Sequence, residues 1–200
     1  MQVSHYSYKG LVAGCDEAGR GCLAGPVFAA TVILPANFTH PDLTDSKLVP
    51  HAKRGPLMSY IKQHALYYAV AKVSPGEIDQ INILNASFKA MHKALRKLAV
   101  QPDFILVDGN RFTPYRSIPY ACIIKGDRKY ASIAAASILA KEHRDRYMKN
   151  QAKKYPFYAW ENNKGYPTAQ HRQAIITHGI TSIHRKSFQL YPNNGQKTLF

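Results

Sequence analysis

Acidic side chains are scarce in this chain of 200 residues: 12 Asp and Glu stand against 27 Lys and Arg, a formal net charge of +15. So one-sided a balance points to a polyanionic partner, because each phosphate that is neutralised releases counterions and adds affinity regardless of sequence. The basic residues are spread along the chain and form no tail, so the expected footprint is a folded face. Charge names the partner class but not the act, since a ribosomal protein or a non-catalytic binder would carry the same balance.

Other absences narrow the class further. No apolar run reaches membrane-spanning length, and the longest candidate, Val27 to Leu34, fits a buried strand. The stretch Met1 to Lys9 lacks the basic-then-apolar layout of a secretory signal. The 3 cysteines, Cys15, Cys22 and Cys122, are odd in number and lack the paired spacing of zinc sites. Reduced thiols and a cytoplasmic location are therefore expected. There is no internal repeat, low-complexity segment or linker. With 46% apolar residues, the chain can bury the core of a single domain.

What is present reads as alternating strands and helices. Leu11–Cys15 and Val27–Leu34 are apolar runs separated by a Gly-rich turn through Gly25-Pro26, and Pro35 stops the second. Residues 36–56 read as loop and a short basic helix, and Leu66–Val73 as a third strand. Ile78, Ile81, Leu84, Phe88, Met91, Leu95 and Leu98 recur at helical spacing behind Ser74-Pro75. Phe104–Val107 and Tyr120–Ile124 are further strands, and an Ala-rich helix is expected over 128–149. A last helix is capped by Thr168 and ends at Gly179. Strands in hairpin-like succession followed by strand–helix units predict an α/β fold, a mixed sheet with helices packed on it. One domain is expected over 1–188, including a short C-terminal helical extension, with 189–200 a flexible tail.

The few acids stand in unusual places. Asp16 and Glu17 directly follow an apolar strand, Asp108 follows Phe104–Val107, and Asp127 comes three residues after Ile124. In open α/β sheets, working groups gather beyond the carboxyl ends of strands. Unpaired carboxylates brought together there would repel, whereas a hard cation such as Mg²⁺ or Mn²⁺ would satisfy them with oxygen ligands. Paired ions of that kind can activate water and stabilise the leaving oxygen of an in-line attack at phosphorus, with no protein nucleophile. Any one of these acids is also compatible with a cap or turn, Asp108 before Gly109-Asn110 above all. Glu77 and Asp79 suit a helix first turn, Asp103 the start of a strand, and Glu142 and Asp145 ion pairs on a helix surface. Asp42 and Glu161 carry no signal.

A set of motifs then resembles one family in order. Asp16-Glu-Ala-Gly-Arg-Gly21 with Leu23-Ala-Gly-Pro26, Asp45-Ser46-Lys47, Val107-Asp108-Gly109 and Lys125-Gly-Asp127 are similar to the signatures of type 2 ribonuclease H, the ribonuclease HII family. So are Ser132–Lys141, Arg144-Asp145-Arg146, Gly165-Tyr166-Pro167 and His184-Arg185-Lys186-Ser187-Phe188. The likeness runs from about residue 11 to 188. It implies a ribonuclease H-like sheet, hydrolysis at RNA–DNA hybrids and at single ribonucleotides in duplex DNA, and 5′-phosphate and 3′-hydroxyl products. By the same resemblance, Asp16, Glu17, Asp108 and Asp127 are metal-coordinating acids. Gly19-Arg20-Gly21 would recognise the ribose 2′-hydroxyl, the group that marks RNA within a duplex. Tyr166 would pack on the neighbouring deoxyribose. Ser46, Lys47, Lys125, Lys164 and Arg185 are candidate phosphate contacts. The 9 histidines show no ligand spacing and receive no role.

Departures from the family pattern are Cys22 in place of Pro, Leu48 in place of a second Lys, and the bulky Arg128 in place of a small residue. The final Gln196-Lys-Thr-Leu-Phe200 resembles the peptide by which bacterial replication proteins dock on a sliding clamp. A monomer is expected. Two rival readings are a junction resolvase of the same fold and a charge-driven binder without catalysis. The first would ignore the 2′-hydroxyl, and the second would not need Asp16 or Asp108; a purely structural assembly protein gains nothing from clustered acids.

Overall fold

A computed structural model describes residues 3–191, so the clamp-like peptide at 196–200 lies outside the described residues. Five strands form one mixed sheet in the order β3-β2-β1-β4-β5. Strands β1 (Val12–Ala18), β2 (Val27–Ile33) and β3 (Tyr67–Val73) pair antiparallel. Strands β4 (Phe104–Asp108) and β5 (Tyr120–Ile123) run parallel to β1 on its other side. The continuous apolar run of β2 is explained by burial at every position, as expected for a strand covered on both faces.

Helices cover the two faces. Helix α2 (Pro75–Arg96) shares a core with Ala13, Cys15, Ile105 and Val107, alternate residues of the central strands. Helices α1 (His51–His64) and α3 (Ala131–Lys154) pack against Ala18, Ala30 and Val32 on the opposite face. The alanines of α3 let it lie close to β1. A Cβ on Gly14 would stand 2.2 Å from the Ser132 backbone carbon, so glycine there is a condition of that approach. A third cluster joins Leu23, Met148, Trp160, Ile175 and Leu190 around the short helices α4 (Trp160–Asn163) and α5 (Ala169–His178).

Several expectations need correction. The basic helix expected within 36–56 runs on to His64, because Leu57, Met58 and Ile61 give it a buried stripe. Helix α2 begins at the expected Ser74 cap but breaks its φ/ψ at Asn82, whose side chain caps the second half by accepting from Asn85 N–H. Glu142 and Asp145 are not surface groups: both are buried, and Asp145 accepts from Lys141 Nζ at 2.6 Å and Arg54 Nη1 at 3.3 Å. The segment 180–190 packs against the body of the domain. His184 pairs with Ala24, Leu190 is buried, and Arg172 donates to the carbonyls of Gln189 and Leu190. This segment forms no core of its own; it completes one begun by α3 and α5. All three cysteines lie among the described residues and are free thiols. No helix among the described residues is long and apolar enough to cross a membrane.

Candidate active site

The parallel register of β1 and β4 sets Cys15 against Val107, so the next residues, Asp16 within β1 and Asp108 at the end of β4, lie side by side on adjacent central strands. Glu17 follows on β1. Asp127 arrives by another route. It sits in a 3₁₀ turn after β5, Gly126–Arg128, entered through the left-handed backbone of Lys125 at φ 56°. Asp108 anchors that turn, because its Oδ1 accepts from Gly126 N–H at 2.7 Å. A side chain at Gly126 would meet Ile133 at 2.6 Å, so the turn packs directly on α3.

All four acids line a single cavity of about 350 Å³, together with Gly19, Arg20, Gly21, Ser46, Lys47, Ser137, Lys141 and Tyr166. Sequence reasoning missed Ser137 and Lys141. Their signal was positional: from Ile133, steps of four along α3 reach Ser137 and Lys141 on the sheet-facing side. Ser137 Oγ donates to Ser46 Oγ at 2.9 Å, tying the 45–47 loop to α3.

Burial governs the electrostatics. Desolvation, with Glu17 and Asp108 nearby, pushes the Asp16 carboxyl well above the usual range. Glu17 is raised by burial as well, although Arg20 opposes this with a contact of 3.3 Å. Burial, Asp108 and Asp45 together raise Asp127 to about 6. Asp45 goes the other way: burial opposes its charge, but hydrogen bonds from Lys47 N–H and Arg128 outweigh burial and lower it. Arg128, unusual for the motif, thus has a partner in Asp45 at 2.8 Å.

These are oxygen donors crowded into one cavity, and Asp16, Glu17 and Asp127 are each easier to protonate or to neutralise with a cation than a solvated carboxylate. Such a donor set fits a hard divalent ion. Among the described residues no three of them already converge into an ion cage. Their present bonds explain why: Asp16 Oδ1 accepts from Glu17 N–H at 2.7 Å, Glu17 holds Arg20, and Asp108 holds the Gly126 amide.

The loop beside the acids is built from below. Gly19 has φ +97°, and a Cβ there would lie 2.0 Å from Arg144 Nε. Arg144 is buried and donates to the carbonyls of Pro26, Lys164 and Ala24, with its guanidinium 5.9 Å from the Tyr166 ring centre. Arg185 is fully buried and donates to the carbonyls of Gly19, Arg20 and Gly25 at 2.7, 2.8 and 2.9 Å. It is therefore an internal brace of the loop and corrects the expectation of a phosphate contact. Lys164 is corrected too: it is buried, and its ammonium donates to the Glu161 carbonyl. Lys125 is exposed but does not line the cavity. Ser46, Lys47, Gly19–Gly21 and Tyr166 do line it.

A closely similar fold occurs in solved structures. The chain superposes on the ribonuclease H2 of Pyrococcus horikoshii with TM-score 0.74 and 27% identity, covering 90% of this chain and 94% of that one. It matches equally well, at TM-score 0.74 and 27% identity over 94% and 98% of the two chains, the ribonuclease HII of Archaeoglobus fulgidus solved in complex with PCNA. Fold and acid-lined cavity thus define a nuclease of the ribonuclease H class, a hydrolase. The family model described as Ribonuclease HII matches residues 13–191. A ribonuclease HII of Parabacteroides distasonis is 61% identical over 91% of this chain and 92% of its own length. One from Christiangramia forsetii is 57% identical over 96% of both. The chain belongs to the ribonuclease HII family.

Proposed function

We propose that this ribonuclease H cuts the RNA strand of RNA–DNA hybrids and incises duplex DNA on the 5′ side of a single embedded ribonucleotide, leaving 5′-phosphate and 3′-hydroxyl ends. One observation carries the reading: carboxylates from adjacent central strands share a cavity with a glycine-lined loop whose amides are free. Among the described residues, neither Arg20 nor Gly21 donates its backbone N–H to any acceptor. Such amides suit the 2′-hydroxyl, a donor and acceptor that DNA lacks.

Asp16, Glu17, Asp108 and Asp127 are the residues that would hold divalent metal, Mg²⁺ or Mn²⁺. When bound, the metal would supply an activated water and charge stabilisation at the scissile phosphate. The chain's own groups do the rest. Gly19-Arg20-Gly21 selects ribose, with Arg20 free to turn from Glu17 to a phosphate once the acid is otherwise neutralised. Ser46 and Lys47, which line the same cavity, hold the phosphate backbone, and Lys141 lines it with its ammonium paired to Asp145. Tyr166, 39% exposed, offers a ring face to the adjacent deoxyribose. The cellular role that follows is removal of ribonucleotides from DNA, by a cytoplasmic monomer.

The test is cleavage of a duplex carrying one ribonucleotide, with and without Mg²⁺ or Mn²⁺. Metal-dependent cutting at the ribonucleotide is expected, and equal cutting of an all-DNA duplex would overturn the assignment. For the C-terminal peptide, the PCNA complex of the Archaeoglobus relative supports clamp docking through Gln196–Phe200. Deleting 196–200 should abolish capture by a sliding clamp and leave cleavage intact; undiminished capture ends that idea.

A further inference from the structure

Three buried rings behind the active site form a hydrogen-bond chain whose protons are fixed by logic. Trp160, His171 and His184 are 0%, 0% and 1% exposed. An indole N–H and a backbone N–H can only donate. Trp160 Nε1 donates to His171 Nε2 at 3.0 Å, so that nitrogen carries a lone pair. The neutral His171 ring must then bear its proton on Nδ1, which lies 2.9 Å from the Tyr166 carbonyl oxygen and donates to it. At the other end, the Thr181 amide donates to His184 Nδ1 at 2.8 Å, which puts the His184 proton on Nε2. That Nε2 is 3.2 Å from His171 Nε2 and points a second donor at the same lone pair. Two obligate donors, remote from each other in sequence, thus set both tautomers.

We infer that His171 is a positioning residue for Tyr166, which it holds through the Nδ1–H bond in the tautomer that Trp160 and His184 impose. The inference rests on the reading of Tyr166 as the group that checks the sugar beside the ribonucleotide. Tyr166 lies between left-handed Gly165, at φ +83°, and Pro167, just ahead of α5. Asn163, His171 and Thr168 fix its backbone: Tyr166 N–H donates to Asn163, and its carbonyl accepts from Thr168 N–H and from His171. Arg144 lies near its ring. Losing the imidazole bond leaves the carbonyl with one partner and frees the peptide to rotate, carrying the ring out of register with the loop at Gly19–Gly21. Burial favours the neutral rings that this chain needs, lowering His171 and taking His184 to about 4.

Two substitutions separate the halves of the ring. His171→Asn keeps a donor near the Nδ1 position and loses the acceptor, whereas His171→Gln keeps an acceptor near Nε2 and loses the donor. The readout is the ratio of cleavage at a single embedded ribonucleotide to cleavage within a long hybrid, on the full chain with Mg²⁺. His171→Gln should lower that ratio about tenfold, the scale of one lost hydrogen bond, and His171→Asn should stay within about twofold of the parent. Equal ratios for both variants, at the parent value, would overturn the inference. Tyr166→Ala is the companion: if it leaves the ratio unchanged, the reading of Tyr166 fails independently. The tautomers themselves are read without activity, from imidazole ¹⁵N resonances of the unmodified protein at pH 7. Protonated Nδ1 on His171 and protonated Nε2 on His184 are expected; a proton on His171 Nε2 refutes the arrangement whatever the variants do.

Discussion

Arg185 Nη2 donates a 2.7 Å hydrogen bond to the carbonyl oxygen of Gly19, a residue 166 positions away in the chain. Because the C=O and N–H of one peptide point in opposite directions, gripping the carbonyls of Gly19 and Arg20 from below turns the amides of Arg20 and Gly21 away from the brace. The guanidinium has no carboxylate partner within ion-pair distance among the described residues. It is lowered to about 10, chiefly by burial, and so stays charged at neutral pH.

Arg185→Lys should therefore be far from conservative. A single ammonium cannot reproduce a planar fork that serves three carbonyls. Loss of stability of about 2–4 kcal/mol is expected in urea unfolding, since buried acceptors are left unpaired. In cleavage assays the discrimination between ribose and deoxyribose should fall. An unchanged urea midpoint would contradict the bracing role.

Gly19→Ala and Gly21→Ala should diverge. At Gly19 the left-handed backbone and the nearby Arg144 side chain both oppose a Cβ. Stability should drop by about 1–3 kcal/mol, with the loop displaced. Gly21 has open space around it. Gly21→Ala should leave the thermal midpoint close to that of the parent yet weaken substrate binding, seen as raised KM for ribonucleotide-containing duplex. Matching thermal losses for the two variants would remove the distinction.

Asp16→Asn and Asp108→Asn should each reduce cleavage on the order of a thousandfold, the scale of removing a charge-stabilising group at a reacting centre. Neither should lower the thermal midpoint of the metal-free protein, because each removes repulsion among crowded carboxylates. Added Mg²⁺ or Mn²⁺ should raise the midpoint of the parent protein by linkage, and that rise should shrink in both variants. Full retention of the metal-induced rise would remove these acids from the ion site.

Asp127 gives a pH dependence of definite sign. Its folded value, about 6, lies above the ordinary 3.8, so between those values the folded protein binds more protons than the unfolded one. Stability contributed by this group thus falls as pH rises through that window and stays lower above it. In metal-free protein, Asp127→Asn should raise the thermal midpoint at pH 7.5, and the gain should fade as pH falls from about 6 toward 3.8 and vanish below it, where the parent carboxyl is protonated in both states. A gain independent of pH would point to some other cause.

How far the sequence could be read is clear at particular residues. Thr168 and Gly179 bracket α5 in both sequence and structure, because cap chemistry is local. Asp16 and Asp108 stood out because each follows an apolar run, and adjacency in the sheet then brings them together. Glu142 and Asp145 make the expected i,i+4 ion pairs, with Arg146 and Lys141, but their burial was not legible, because nothing in a run of alternating charges marks the side that packs inward. The same limit hid Ser137 and Lys141, whose helix was legible while the face it turned to the acids was not.

Composition and local pattern by themselves determined the basic character of this chain, its strands and helices, and the order of acids that belongs to the ribonuclease HII family. Those features depend on neighbouring residues and short-range backbone preference. Only the tertiary structure decided that Arg185 and Lys164 face inward and that His171, without any ligand spacing, meets Trp160, His184 and the Tyr166 carbonyl. Burial and hydrogen-bond partners are set by segments far apart in the chain, and a side chain's chemistry alone does not say which of its possible partners the fold will deliver.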